Sequence, residues 1–290
     1  ARINSTEGVR LVRGSHIVTK RLFAHDRCYF FQGTDGRIIF AIPYEQDFTL
    51  IGTTDQDHKS APGDVHCTEA EQDYLCNFAS QYFRNPITRA DIVWTYSGVR
   101  PLYNDGAKSA TAATRDYVLS LDQNGAPLLN VFGGKITTHR RLAESALAKL
   151  VPFFPNAKPA WTARVPLPGG DFPHDGVAAL TTRLAADYPF LTATHTARLI
   201  RAYGTDAWNV LGPAKSADDL GRSFGATLTE AEVGWLMRRE YARSAADIVW
   251  RRSKLGLRMT KDQISALDTF MTAPQGSISP APVSNGLKTG

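Results

Sequence analysis

Val131-Phe132-Gly133-Gly134-Lys135-Ile136-Thr137-Thr138 divides the chain into two kinds of pattern. Before it, apolar residues come in short runs between turn signals, as in β-strands; after it they recur every three or four residues, as in amphipathic helices. The stretch itself reads as an apolar strand that passes through two glycines and a lysine into a helix with threonines at its start. N–H groups at a helix start carry partial positive charge, and glycines before them let a ligand approach the backbone closely. It is therefore a candidate anion or cofactor cradle, to which Lys135 adds a full charge. Its spacing is neither a Walker A loop nor a GxGxxG fingerprint, and an ordinary capped strand-to-helix turn would read the same way.

Working back from it, 28–32 and 37–42 read as strands around an Asp35-Gly36 turn, a strong hairpin cue. Further strands are read at 47–53, 91–102, 114–121 and 127–132, the last two joined across Asn124-Gly125. Hairpin connections make such a sheet mainly antiparallel. One helix interrupts it, started by a capping box of Thr68 and Glu71 and carrying Leu75, Phe78, Ala79 and Tyr82 on one face.

Working forward, Ala143, Ala146, Leu147 and Leu150 form one helical stripe, and Val177, Leu180, Thr181 and Leu184 another. Thr229 with Glu232, and Thr260 with Gln263, read as capping boxes of two more helices. The proline-rich stretch 152–170 can be neither continuous helix nor central strand. The expected architecture is α+β: a mainly antiparallel sheet domain with the strand–helix segment over 1–150, an all-helical domain over 151–272, and a Pro-, Ser- and Gly-rich disordered tail over 273–290.

With 290 residues, 43% of them apolar, the chain can bury one large or two modest cores. It has no run of eighteen apolar residues and no signal-peptide pattern at its start, so neither a membrane span nor secretion is expected. Three irregularly spaced cysteines, Cys28, Cys67 and Cys76, read as buried free thiols of a reducing compartment. His66 beside Cys67 is too little for zinc, and no metal is expected. The chain starts at Ala1 and its first methionine is Met237, which reads as a piece of a longer protein.

The net charge of +5 is concentrated in 238–258, and the remainder is neutral overall. Such a stripe is ordinarily a solvated helix face. The other reading is a basic interaction module for nucleic acid or anionic membrane, with Trp235, Tyr241 and Trp250 as stacking groups. Nothing resembles a helix-turn-helix or an RNA-binding signature, so no nucleic-acid partner is expected.

Arg100, in Tyr96-Ser97-Gly98-Val99-Arg100-Pro101-Leu102, reads as an arginine at a strand end, where proline stops the ladder and a side chain can face a pocket. Arg115, in Thr114-Arg115-Asp116-Tyr117, is a second. Arginine forks match phosphate and carboxylate in two-point contacts, and with Lys135 they point to a small anionic substrate. A lone arginine is more often a surface or ion-pair residue. His16, behind a glycine turn at the start of an apolar strand, has the ordinary pKa of about 6.5 that suits a general base, although a lone histidine there is usually structural. Asp55-Gln56-Asp57-His58 reads as a polar turn, since it lacks the remaining ligands of a calcium loop.

Gly14-Ser15-His16-Ile17-Val18, Ile51-Gly52-Thr53-Thr54-Asp55 and the three motifs around Arg100, Arg115 and Lys135, in this order, resemble the FAD-dependent, respiratory glycerol-3-phosphate dehydrogenases. The resemblance runs from about residue 9 to about residue 271, its helical part being similar to that family's C-terminal cap domain. Family members begin with a Rossmann-like βαβ unit whose GxGxxG holds the FAD pyrophosphate, and no such motif occurs here. The resemblance therefore implies a C-terminal portion with the N-terminal FAD domain absent, a missing partner without which the fragment is inactive and its binding of FAD is in question.

It further implies oxidation of glycerol 3-phosphate to dihydroxyacetone phosphate, with electrons passing to quinone, at a peripheral site on the cytoplasmic face of the inner membrane. An oxidase of the same family is the alternative. On this sequence His16 would be the base, and Arg100 would bind and polarise the reacting oxygen. Arg115 and Lys135 would help to hold the substrate and its phosphate. Gly133, Gly134, Lys135, Ile136 and Thr137 would face the flavin. The segment 127–150, which returns to the flavin domain in that family, is expected to be mispacked, mobile or covered by a neighbouring molecule.

Overall fold

In a computed structural model, the described residues are 8–34, 36–63, 65–104, 106 and 114–273. They fall into two compact units, Ala1–Arg164 and Val165–Gly290. Asp35 of the expected turn and all but the first residue of the expected tail lie outside the described residues.

In the first unit, β1 (Val9–Lys20), β2 (Tyr29–Gln32), β3 (Ile38–Tyr44), β4 (Phe48–Gly52) and β5 (Gln56–Asp57) precede α1 (Glu69–Ser80) and β6 (Ile92–Tyr103). These strands form one sheet in the order β2-β3-β4-β1-β5, with β6 on the other side of β1. Every pairing is antiparallel among the described residues. Strand side chains alternate between faces, which sends Ile17, Ile39 and Ile51 to the core. There they meet Leu75, Cys76, Phe78 and Ala79 of α1, whose start carries the expected Thr68–Glu71 capping box.

β7 (Val118–Asp122) and β8 (Leu128–Phe132) make a separate two-stranded hairpin, followed by a 3-10 turn at Ile136–Thr138 and by α2 (His139–Leu150). α2 buries none of its residues, and Val131, Ile136 and Leu147 are exposed by 48%, 84% and 61%. β8 thus pairs with β7 and stays out of the six-stranded sheet.

The units divide after Arg164, later than the expected boundary at 150. The reason is that 151–164 folds back on α2: Thr162 donates a hydrogen bond to Glu144 and accepts one from Arg140. Leu147, Val151, Phe154 and Trp161 line a shared groove there.

The second unit contains α3 (Val177–Asp187), α4 (Ala193–Tyr203), α5 (Ala207–Leu211), β9 (Ser223–Gly225), β10 (Leu228–Thr229), α6 (Glu230–Arg239), a π-helical turn at Asp247–Arg252 and α7 (Lys261–Thr272). Leu184, Leu199, Leu228, Val233, Leu236, Ile248 and Leu267 form its core. It is not wholly helical, because β9 and β10 pair. The Thr260–Gln263 capping box forms. The Thr229–Glu232 box does not: the Glu232 carboxylate turns inward to accept two hydrogen bonds from Arg198, both 2.7 Å, and one from Tyr203.

The basic stripe is largely engaged within the chain. Arg239 lies over Trp235, Arg251 pairs with Asp247, and Arg252 donates to the carbonyl of Glu240. Trp250 packs over Gly256, whereas Tyr241 is 75% exposed. Among the described residues no helix is long and apolar enough to cross a membrane. Cys67 and Cys76 are buried, but Cys28 is exposed, because it lies just before edge strand β2 rather than under α1.

Candidate active site

β1 is paired on both sides, and that pairing assembles the site. His16 stands opposite Gly52 of β4 and Tyr96 of β6. It lies in the middle of β1 rather than at its start, and Gly14 is no turn but a ladder residue opposite Gly98. Neither Gly14 nor Gly52 has a positive φ; each makes room. A Cβ on Gly52 would stand 2.2 Å from His16 Cδ2, and one on Gly14 would stand 2.4 Å from both terminal nitrogens of Arg100. Tyr96 stacks on the imidazole with ring centroids 4.8 Å apart and planes 8° from parallel.

β6 also runs on through Pro101 to Tyr103, so Arg100 is inside a strand and not at its end. It lies opposite Val12, and its guanidinium reaches along β1 over Gly14 towards His16. Arg100 donates to Asp55 Oδ1 at 2.9 Å and to Thr53 Oγ1 at 3.1 Å. Arg115 donates to the other oxygen of the same carboxylate at 3.3 Å. Asp55 therefore holds two arginines together, and both stay about one-third exposed, at 33% and 34%. That leaves guanidinium surface open to an anion.

Burial, and then the Arg100 charge, push the pKa of His16 down to about 4. The imidazole is neutral at pH 7, the form that can accept a proton. Its Nδ1 is buried without a hydrogen-bond partner among the described residues. Such an atom costs about 1–3 kcal/mol unless a partner arrives.

The glycine cradle meets the same strand. Gly133 and Gly134 have φ of +69° and +105°, a region that disfavours side chains. A Cβ on Gly133 would touch Asp116 O at 3.2 Å and Tyr103 N at 3.3 Å, which places this turn beside the end of β6. Lys135, Ile136 and Thr137 are exposed. The helix start is not the free set of N–H groups expected there, because Thr138 N and Oγ1 both donate back to the carbonyl of Lys135. The backbone of Gly133 and Gly134 and the exposed residues after it suit a planar cofactor. Thus Arg100 and Arg115 come together on Asp55, His16 lies within the field of Arg100, and Gly133 lies alongside Arg100's strand, whereas among the described residues no hydrogen bond or ion pair joins Lys135, Ile136 or Thr137 to His16 or Arg100.

Two residues at this site escape the sequence reading. Asp55 reads as part of a polar turn, but it parts from Asp57, which pairs with Arg10 at 2.7 Å instead. Thr53 carries no signal of its own. Both lie in the Ile51-Gly52-Thr53-Thr54-Asp55 motif, which carries the family resemblance but gives neither residue a role.

Residues 2–140 match the family model described as FAD dependent oxidoreductase, and residues 160–274 match the C-terminal domain of alpha-glycerophosphate oxidase. Residues 2–140 are thus similar to the FAD-dependent oxidoreductases, a class of enzymes whose cofactor is FAD. Within that class the chain is 45% identical over 269 residues to glycerol-3-phosphate dehydrogenase of Pseudomonas aeruginosa, covering 92% of this chain and 52% of that protein. It is also 45% identical over 271 residues to aerobic glycerol-3-phosphate dehydrogenase of Escherichia coli, covering 92% of this chain and 54% of that protein. D-erythritol 1-phosphate dehydrogenase of Brucella abortus is 42% identical over 263 residues, 90% of this chain and 52% of that protein. The chain thus spans about half the length of the curated relatives it matches.

The fold is similar to that of glycerol-3-phosphate dehydrogenase from Bacillus halodurans complexed with FAD, with a TM-score of 0.73 at 20% identity, covering 93% of this chain and 57% of that one. The expectation that the FAD domain is absent is overturned, because the FAD-dependent family model itself covers the sheet-bearing residues 2–140. The expectation equated that domain with its GxGxxG unit. The antiparallel sheet belongs to the same family domain, so lack of one short motif does not remove the domain.

Proposed function

We propose that this chain takes part in the FAD-dependent oxidation of sn-glycerol 3-phosphate to dihydroxyacetone phosphate. The observation that carries the reading is the neutral imidazole of His16 held beside the Arg100–Asp55–Arg115 group. Arg100 and Arg115 bind the anionic substrate through their exposed guanidinium surface, and Lys135 helps to hold its phosphate. A ring nitrogen of His16 takes the proton of the C2 hydroxyl. Arg100 lies within reach of the oxygen as negative charge develops there, and a fixed charge at that place lowers the barrier. The chemistry that FAD would supply here when bound is acceptance of a hydride from C2. The backbone from Gly133 to Thr137 would hold its ring.

Electrons then pass to quinone, with the protein peripheral on the cytoplasmic face of the inner membrane. A D-erythritol 1-phosphate reading shares every one of these groups, and it is favoured by the 42% identity to the Brucella enzyme.

The test is dye reduction by the FAD-loaded protein with glycerol 3-phosphate and with D-erythritol 1-phosphate, while oxygen uptake is followed in parallel. Preference for glycerol 3-phosphate, lost in His16→Asn, is expected. Turnover of neither substrate, or an unaffected His16→Asn, would overturn the proposal, and peroxide formation without quinone would turn it into an oxidase.

A further inference from the structure

We infer that Glu71 is the positioning residue that fixes His16 and the Thr53–Asp55 segment relative to each other from the opposite face of the sheet. The inference rests on the reading of His16 and Arg100 above and names the group that places them.

Side chains on β1 alternate, so His16 and Gly14 face the arginines while Arg13, Ser15 and Ile17 face α1. On that second face the Glu71 carboxylate is 4% exposed. Its Oε1 accepts from Ser15 Oγ and from Thr54 Oγ1, each at 2.9 Å, and from Arg13 Nε at 3.3 Å. Oε2 accepts from Thr68 N at 3.0 Å and Thr68 Oγ1 at 2.9 Å, and lies 3.1 Å from Arg13. Thr54 Oγ1 accepts in turn from Ser15 N at 2.9 Å, and Ser15 shares a 2.8 Å hydrogen bond with Ser97 of β6.

Ser15 precedes His16, and Thr54 lies between Thr53 and Asp55, the two residues that grip Arg100. One carboxylate oxygen thus joins the neighbours of both reacting groups. Burial raises the pKa of Glu71, but the hydrogen bonds from Thr68, Ser15 and Thr54 outweigh it and hold the group below its ordinary value. A capping box needs only the Thr68 side of this arrangement. The Ser15 and Thr54 side has no part in the cap, and it is this surplus that assigns the second role.

The test follows the His16 ring by NMR of histidine-labelled protein, a readout that needs neither flavin nor substrate. His16 is faced by the Arg100 charge and by Tyr96, and both burial and that charge depend on its place. Glu71→Gln turns one acceptor into a donor, and Thr54→Val removes the two links made by the Thr54 hydroxyl, to Glu71 and from Ser15 N, at nearly constant volume. Both are expected to raise the His16 pKa by a unit or more, whereas Thr54→Ser retains the wild-type titration. Ile87→Ala loosens the core under α1 without touching the network, and should leave His16 unmoved.

Wild-type titration in Thr54→Val, or an equal shift in Ile87→Ala, overturns the inference; should Glu71→Gln fail to fold, Thr54→Val decides. A shifted His16 with undiminished glycerol 3-phosphate oxidation would instead overturn the role given to His16 and leave that of Glu71 standing.

Discussion

Gly52 lies so close to His16 that a methyl group on its Cα would stand 2.2 Å from Cδ2 of the imidazole. The ring is held between this bare backbone on β4 and the Tyr96 ring on β6. A side chain at residue 52 therefore acts on the base without removing it.

Gly52→Ala is expected to keep the fold but displace the ring. A misplacement of about 1 Å costs on the order of 100-fold in rate, so kcat should fall by that factor while KM changes little. Steady-state kinetics with circular dichroism as the folding control measures this. An unchanged kcat would show that the position of His16 does not matter.

Arg100 contributes both a shape and a charge, and two substitutions separate them. Arg100→Lys keeps the charge but loses the fork that reaches Asp55 and Thr53 together, so kcat/KM should fall about 10- to 100-fold with little change in the His16 titration. Arg100→Met also removes the charge, and the His16 pKa should rise from about 4, though not to 6.5, since burial is the larger cause. Equal His16 titrations in the two variants would contradict the account.

In the second unit, burial and then Arg198 push the His195 pKa down to about 4, against an opposing pull from Glu232. The unfolded chain binds a proton near pH 6.5 that the folded one refuses until about 4. Stability is therefore lost as pH falls through that window. Between pH 7 and 5 the loss is about 2 kcal/mol. Denaturant titrations at the two pH values should show it in the wild type and find it reduced in His195→Gln.

Arg198→Met leaves the Glu232 carboxylate, 1% exposed, without its bidentate partner. Removing one member of a buried pair costs about 3–5 kcal/mol. The double variant Arg198→Met with Glu232→Gln should recover much of that in urea titrations, because the stranded charge is gone. A double variant no more stable than the single one would rule this explanation out.

The paired strands Tyr29–Gln32 and Ile38–Tyr44, the Thr68–Glu71 helix and the change of period after Phe132 are local patterns, and they are legible in the sequence. What is hidden depends on partners far along the chain. Gly14 reads as a turn because its use, room for Arg100, arises only when β6 pairs with β1. Arg100 reads as a strand end because proline ordinarily stops a ladder, yet Pro101 pairs opposite Leu11 within it. Glu232 reads as a cap because Thr229 stands three residues before it, until Arg198 and Tyr203 arrive from α4 and claim it. The extent of the FAD-dependent domain is hidden for another reason: a short motif is easily read, whereas a sheet's membership in a larger domain leaves no motif.

β1 is an interior strand with partners along both edges, and the site is written in its register. A slip of one residue would turn His16 towards α1 and Ser15 towards the arginines, exchanging the two faces throughout. Point substitutions can therefore alter the chemistry of this site one group at a time, while a single-residue insertion between Leu11 and His16 would dismantle it at once. Variation among proteins that keep the activity should accordingly consist of replacements in β1, β4 and β6, with changes in length confined to the turns between them.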